Sequence, residues 1–209
     1  MKPARFIIVI SPDFRVVPTT VAAAVEALML EGFQPVLVMS TTSGLLNARN
    51  ESFAVARRMT KGDEARGFMI DDDIHYADTV DNLRKAIHQS EIEKSAFVAP
   101  YLLGSGKSSI HDGTNLLTWK EAMALKNWSE IDTGGLGFYY GPLPLNYHFH
   151  VTDSAKGLTG EDILFFRENH IKPHVLQVKL QHLKLIPIPQ GIDDEPIGWG
   201  CRDEKGSNN

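Results

Sequence analysis

The chain has 209 residues, 43% of them hydrophobic, with 21 basic and 26 acidic side chains and a formal net charge of −5. That length can bury a full core, the acidic balance without any run of five like charges argues against a nucleic-acid phosphate footprint, and no stretch of 18 apolar residues provides a transmembrane span. The single cysteine, Cys201, excludes an intramolecular disulfide, and the apolar run after Met1 is too short for a signal peptide. Together these features predict a chain of the reducing cytoplasm.

Strand and helix patterns alternate through the first half. Phe6 to Ile10 is a continuous apolar run, as expected of a strand covered on both faces, and it ends at the turn signal Ser11-Pro12-Asp13. Thr20 is placed to cap a helix whose apolar positions Val21, Ala24, Val25, Leu28 and Met29 follow helical spacing as far as Gly32. A strand over Pro35 to Met39 closes the first crossover, and a helix over Arg49 to Thr60 with Gly62 beyond it follows. Phe68 to Ile70 reads as a short buried strand running into Asp71-Asp72-Asp73. Asp78 or Thr79 can cap the next helix, through Leu83 and Ile87, and Ala96 to Ala99 is another strand. Ligands of open α/β sheets collect beyond the carboxyl ends of the strands, which is where Asp13, Ser40 and Asp71 to Asp73 fall.

The second half is less regular. Tyr101 to Asn115 reads as a loop, Trp119 to Trp128 as a short helix, and Asp132 to Phe138 as a glycine-rich turn into a strand that Pro142 and Pro144 end. Glu161 to Asn169 reads as a helix, His174 to Leu185 as a last strand, and the segment from Pro187 as a terminal arm. The expected organisation is one domain over residues 1–186 and an arm over 187–209.

Three groups of residues carry candidate chemistry. In extended chain residues i and i+2 share a side, so Asp71 and Asp73 can converge while Asp72 turns away. Paired carboxylates suit Mg²⁺ or Mn²⁺, which keep few protein ligands and take the rest from water and a diphosphate; an acidic cap is the plain alternative. His182 continues the row of Leu176, Val178 and Leu180, a polar residue where a core position is due; a satisfied core histidine or a metal ligand both fit. Glu161 and Asp162 open a helix, where they either complement its dipole or supply a general base. Gly134 and Gly135 permit close backbone approach to a ligand or only a tight turn. Three other patterns fail: Gly104 to Ser108 lacks the first glycine of a P-loop, His148 and His150 lack a third ligand, and no Gly-x-Ser-x-Gly elbow exists.

Taken in order, Ala48-Arg49-Asn50, Gly67 to Ile74, Asp132 to Phe138, Gly160-Glu161-Asp162-Ile163-Leu164-Phe165 and Gln181-His182 resemble the GT-A fold family of nucleotide-sugar glycosyltransferases, over roughly residues 4 to 186. The resemblance implies an α/β fold, a single GT-A-like domain with a Rossmann-like, mostly parallel central sheet flanked by helices. It implies transfer of a sugar from a nucleoside-diphosphate sugar to an acceptor hydroxyl of a carbohydrate or glycoconjugate, dependent on Mn²⁺ or Mg²⁺. Asp71, Asp73 and His182 map onto the metal site, and Arg49, Asn50, Asp71, Asp72, Gly134 and Gly135 onto the nucleotide-sugar surface. Asp162 maps onto the base of inverting members, with Glu161 beside it. Small stand-alone members occur in viruses, so a host cytoplasm is compatible. Two other classes remain beside it, a nucleotidyltransferase of similar fold and a non-catalytic sugar-nucleotide-binding module. Ser11 to Arg15 is not the glycine- and basic-rich loop that the nucleotidyltransferase would carry.

Overall fold

The computed structural model describes residues 2–11, 18–40, 42–60, 64–103, 105–113, 115–154 and 157–183. The expected roles of Asp13, Gly62, Gly104, Cys201 and the arm over 187–209 lie outside the described residues. Strand β1, Ala4–Ile10, shows why its core reads as one apolar run. Phe6, Ile8 and Ile10 enter the hydrophobic core on one face of the sheet, and Ile7 and Val9 enter the core on the other. Helix α1, Pro18–Leu30, follows, with Ala23, Ala24, Ala27 and Leu28 buried. Gly32 takes the positive φ of 82° that lets the chain leave the helix. Thr20 is not the cap that its sequence context predicts. It lies inside the first turn, donating to the Ile74 carbonyl at 2.7 Å and accepting from the Tyr76 N–H at 2.9 Å, so its hydroxyl ties the helix to a neighbouring strand.

Strand β2, Gln34–Ser40, helix α2, Leu45–Thr60, and strand β3, Glu64–Asp71, complete the next unit. A two-residue turn leads to β4, Ile74–Tyr76, and then to α3, Val80–Glu93. Thr79 caps α3 by accepting from the Asn82 N–H at 3.3 Å, while Asp78 accepts from the Thr79 N–H at 2.7 Å. Strand β5 spans Ala96–Val98. The predicted loop after it instead contains β6, Lys107–His111, which joins β7, Leu116–Thr118, and β8, Thr133–Gly134, in a small sheet. Helix α4, Trp119–Ala124, is shorter than expected and carries a full capping box between Thr118 and Glu121.

Strand β9, Phe138–Pro144, runs through both prolines. Its neighbour β5 pairs only with Tyr139 and Tyr140, so beyond Gly141 the strand has an open side where a missing N–H costs no ladder bond. The hairpin β10, Thr152–Ser154, and β11, Gly157–Thr159, precedes α5, Glu161–Glu168. The expected last strand is two: β12, Pro173–Val175, and β13, Leu180–His182, with Leu176 and Val178 buried in irregular chain between them.

The central sheet has the order β12-β5-β9-β3-β1-β2. β1 is parallel to β2 and β3, β12 is parallel to β5, and β9 is antiparallel to both its neighbours. The core against one face includes residues of α1 and α3, and that against the other residues of α2, α4 and α5. The result is an α/β layer structure with a Rossmann-like, mixed but mostly parallel sheet. No helix among the described residues is long and apolar enough to cross a membrane.

Candidate active site at the carboxyl ends of the strands

β3 delivers Asp71 at its carboxyl end, the second turn of α2 brings Arg49, and the first turn of α5 brings Glu161 and Asp162 to the same place. Arg49 is the organising residue, with a side chain only 1% exposed. One terminal nitrogen, Nη1, donates to Glu161 at 3.0 Å and makes a closer hydrogen bond to Asp162; the other, Nη2, reaches both Asp71 oxygens at 3.4 and 3.5 Å. Three carboxylates from positions 71, 161 and 162 therefore share one guanidinium. Burial opposes the charge on Arg49, but Asp162, Asp71 and Glu161 outweigh it, and its pKa rises. For Asp71 the balance runs the other way. Burial, with Asp162 and Asp73 adding repulsion, pushes its carboxyl up to about 6 against the pull of Arg49. The cluster carries more negative charge than it can comfortably hold.

Asp162 is held at both oxygens. Oδ1 accepts from Arg49, and Oδ2 accepts from the Leu136 N–H at 3.2 Å, so the loop before β9 fixes the carboxylate while its side chain stays 27% exposed. Glu161 is more enclosed, at 16%. Both line a cavity of about 160 Å³ together with Gly134, Gly135 and Gly160.

Asp73 and His182 form a second pair. Asp72 and Asp73 are the turn between β3 and β4, so Asp71 and Asp73 do not share a face as extended chain would dictate: Asp71 faces Arg49, and Asp73 faces His182. The antiparallel pairing of β13 with β4 puts His182 opposite Ile74, and the Leu183 N–H donates to the Asp73 carbonyl at 2.6 Å. His182 Nε2 lies 2.9 Å from Asp73 Oδ2 and Nδ1 lies 3.1 Å from the Leu102 carbonyl oxygen. Both partners are acceptors, so the ring satisfies them fully only as the imidazolium. The hydrogen bond to Asp73 holds the His182 pKa above its ordinary value, with burial opposing. His182 is thus polar within an apolar row because it meets Asp73 and a carbonyl. Among the described residues no three His, Cys, Asp or Glu side chains are gathered into a metal cage.

Other residues singled out in the sequence have local work. Asn50 donates to the Phe149 carbonyl at 3.0 Å and accepts from the Phe149 N–H at 2.7 Å, so its amide clamps a backbone segment. The Asp72 N–H donates to the Ile10 carbonyl at 3.0 Å and extends the β1 to β3 ladder. Gly134 and Gly135 are small because of their own chain: a Cβ at Gly134 would come within 2.6 Å of Val98, and one at Gly135 would collide with the Tyr101 hydroxyl. Gly137 is equally constrained, since its Cβ would lie 2.9 Å from Asp71 and 3.0 Å from that hydroxyl. Ser108, in the P-loop-like stretch, is spent on the Leu117 carbonyl, and His150 contacts Glu168 at 3.3 Å.

Tyr101 is a site residue that no motif in the sequence singles out. It is buried beside Arg49, Asp71 and Asp162, whose charges act on it, and burial raises its phenol pKa further from neutrality. It follows the end of β5, so the strand-end rule that singled out Asp71 applies equally to it. His111 and Thr133 also line the cavity; the sequence marks Thr133 only as part of the glycine-rich stretch Asp132 to Phe138, and no motif marks His111.

No family model matches this chain, and no curated protein matches it in sequence. Among solved structures it is similar to A197 from STIV, at 15% identity over 87% of this chain and 85% of that one, with a TM-score of 0.54. It has a weaker likeness to an apo UDP-glucose pyrophosphorylase, at 12% identity over 86% of this chain and 76% of that one, with a TM-score of 0.42. The first likeness supports the fold.

Proposed function

We propose that the chain is a metal-dependent glycosyltransferase that moves a sugar from a nucleoside-diphosphate sugar to an acceptor hydroxyl with inversion. The observation that carries this reading is the convergence of Asp71, Glu161 and Asp162 on one buried Arg49 at the carboxyl ends of the strands, with the Asp73–His182 pair beside them. A cluster with an excess of carboxylates suits a ligand that arrives with its own cation. Asp73 and His182, with Asp71 adjacent, would hold Mn²⁺ or Mg²⁺, and the bound ion would neutralise the diphosphate. One feature supports this: His182 holds Nδ1–H on the Leu102 carbonyl, the outer hydrogen bond that orients a ligating histidine, and its Nε2, which meets Asp73, would exchange its proton for the metal.

Asp162 is the base in this reading. Arg49 and the Leu136 N–H hold and aim the carboxylate, and its exposed edge faces the cleft. The acceptor O–H bond breaks as its proton passes to Asp162, and the oxygen bonds to the anomeric carbon. The bond from that carbon to the diphosphate oxygen breaks, and its electron pair leaves with the nucleoside diphosphate. Glu161, more enclosed and on the same Arg49 nitrogen, helps to hold the charge pattern.

A thermal-shift panel of UDP-, GDP-, TDP- and CMP-sugars with and without Mn²⁺ tests this. A donor at ~100 times its Kd adds about 2.7 kcal/mol of stability. We expect one donor class to raise Tm only with the metal, and Asp73→Asn to weaken calorimetric donor binding by about tenfold or more. No shift from any donor in Mn²⁺ buffer would falsify the proposal.

A further inference from the structure

The cavity beside the charge cluster has a wall that the donor chemistry leaves unused. His111 on β6 and Thr133 on β8 are directly paired across an antiparallel ladder, so their side chains share one face, and both line the cavity together with Glu161 and Asp162. The protonation of His111 follows from its partner. Its Nδ1 accepts from the Gly113 N–H at 3.0 Å, so that nitrogen carries no proton and Nε2 is the N–H donor. Burial, with Arg167 adding to it, holds the imidazole below its ordinary pKa and hence neutral. Among the described residues nothing accepts from Nε2–H. Thr133 is fully buried, and its Oγ1 has no hydrogen-bond partner among them either. Buried polar groups are almost always paired, so an unpaired hydroxyl beside an unpaired N–H points to a partner supplied from outside the chain.

The rest of the lining narrows that partner. Leu103, Leu116 and Ile163 give an apolar surface, and Glu161 and Asp162 disfavour an anion. A neutral ring that bears hydroxyls on its edge and C–H bonds on its face meets all of these conditions. We propose that this cavity is the acceptor subsite and takes a pyranose, with His111 Nε2–H and Thr133 Oγ1 holding ring hydroxyls so that a further hydroxyl faces Asp162. The assignment of the ring as acceptor rests on the transferase reading above; the pyranose cavity itself rests on the wall.

Saturation-transfer NMR on the full chain tests it, using the methyl α- and β-glycosides of glucose, galactose, mannose and N-acetylglucosamine as probes. At least one should bind the unmodified protein. Thr133→Val removes a hydroxyl that makes no hydrogen bond within the described chain, so it should fold with an equal or higher Tm and keep the donor-induced thermal shift, yet weaken glycoside binding about tenfold. His111→Phe should weaken it similarly, and His111→Gln, which restores an N–H near the same place, should recover part of the loss. Unchanged glycoside affinity in both Thr133→Val and His111→Phe overturns the proposal. A protein that binds a nucleotide sugar but no glycoside overturns the subsite alone. One that binds glycosides through this wall but no nucleotide sugar supports the cavity and refutes the transferase reading.

Discussion

The two ends of β3 carry opposite solutions to buried charge. Near its start, Arg66 joins Arg5 on a single carboxylate: Arg5 donates to Glu91 at 2.9 and 2.6 Å, Arg66 donates to it at 3.1 Å, and the Tyr140 hydroxyl adds a third donor. The Arg66 guanidinium also reaches the Ser90 and Ser95 carbonyls, so the charges at that end are matched and closed in. At its finish, Asp71 is one of three carboxylates on one arginine, whose Nε has no partner among the described residues. The acid constants record the difference. Burial opposes ionisation at Glu91, but the hydrogen bonds from Arg5 and Tyr140 and the charge of Arg66 bring its pKa to about 2, whereas burial and like charge push Asp71 up to about 6. One end is complete as folded, and the other lacks positive charge.

The sharpest way to break this contrast is at Asp162, where the unfinished end meets chemistry. A general base contributes ~10² to 10⁴ in rate, so Asp162→Asn should lower turnover by that factor, ~3 to 6 kcal/mol in the barrier, and leave donor affinity nearly intact. The asparagine also turns an N–H towards either Arg49 or the Leu136 N–H, so its melting temperature must be measured on the same sample. Loss of donor binding in step with turnover would make Asp162 a structural ligand of Arg49 instead of a base. Retention of the donor's anomeric configuration in the product, read by NMR, would remove the single-displacement role altogether.

Next in size is Arg49 itself. Removing one partner of a buried ionic cluster typically costs ~3 to 5 kcal/mol, because the charges left behind lose their compensation. Arg49→Met should therefore lower unfolding free energy in urea by that order at pH 7.5. Mn²⁺ with the identified donor should restore part of it, since the ligand brings the missing positive charge. A loss below about 1 kcal/mol would show that the three carboxylates do not depend on this arginine.

How much of this could be read from the chain follows the range of the interactions. The apolar run from Phe6 to Ile10, the Thr79 cap and the placement of Asp71 at a strand end are local or follow from topology, and each is visible in sequence. Thr20 misled because a capping residue and a residue that bonds a distant strand look alike until that strand is in place. The small sheet of β6, β7 and β8 escaped because Lys107 to His111 is polar, with Ser108 and Ser109 buried by their surroundings. The stretch from Leu176 to Leu180 alternates like a strand, yet it bonds irregularly, with the Val178 N–H on the Leu176 carbonyl at 3.1 Å. Arg49 and Asp162 are 113 positions apart, so the sequence could supply both residues but not the hydrogen bond between them.

The smallest expected effect lies at the closed end and completes the contrast. Glu91 has its pKa depressed to about 2 from an ordinary 4.5, so its interactions stabilise the fold fully above pH 4.5, and that contribution is lost as pH falls through about 2. The side chain is 18% exposed, so a full conversion of the shift is discounted to about 2 kcal/mol. Glu91→Gln leaves Arg5 and Arg66 facing a neutral amide and should lower stability by about that amount at pH 7, as measured by urea unfolding. The same substitution should cost progressively less as pH is lowered from 4.5 towards 2, because the native carboxylate is itself being neutralised. Donor binding should be unaffected throughout, since Glu91 and the Arg49 cluster lie at opposite ends of the strand. A deficit that stays constant down to pH 2 would mean that Glu91 contributes through packing and neutral hydrogen bonds, and the closed end would then owe little to its charges.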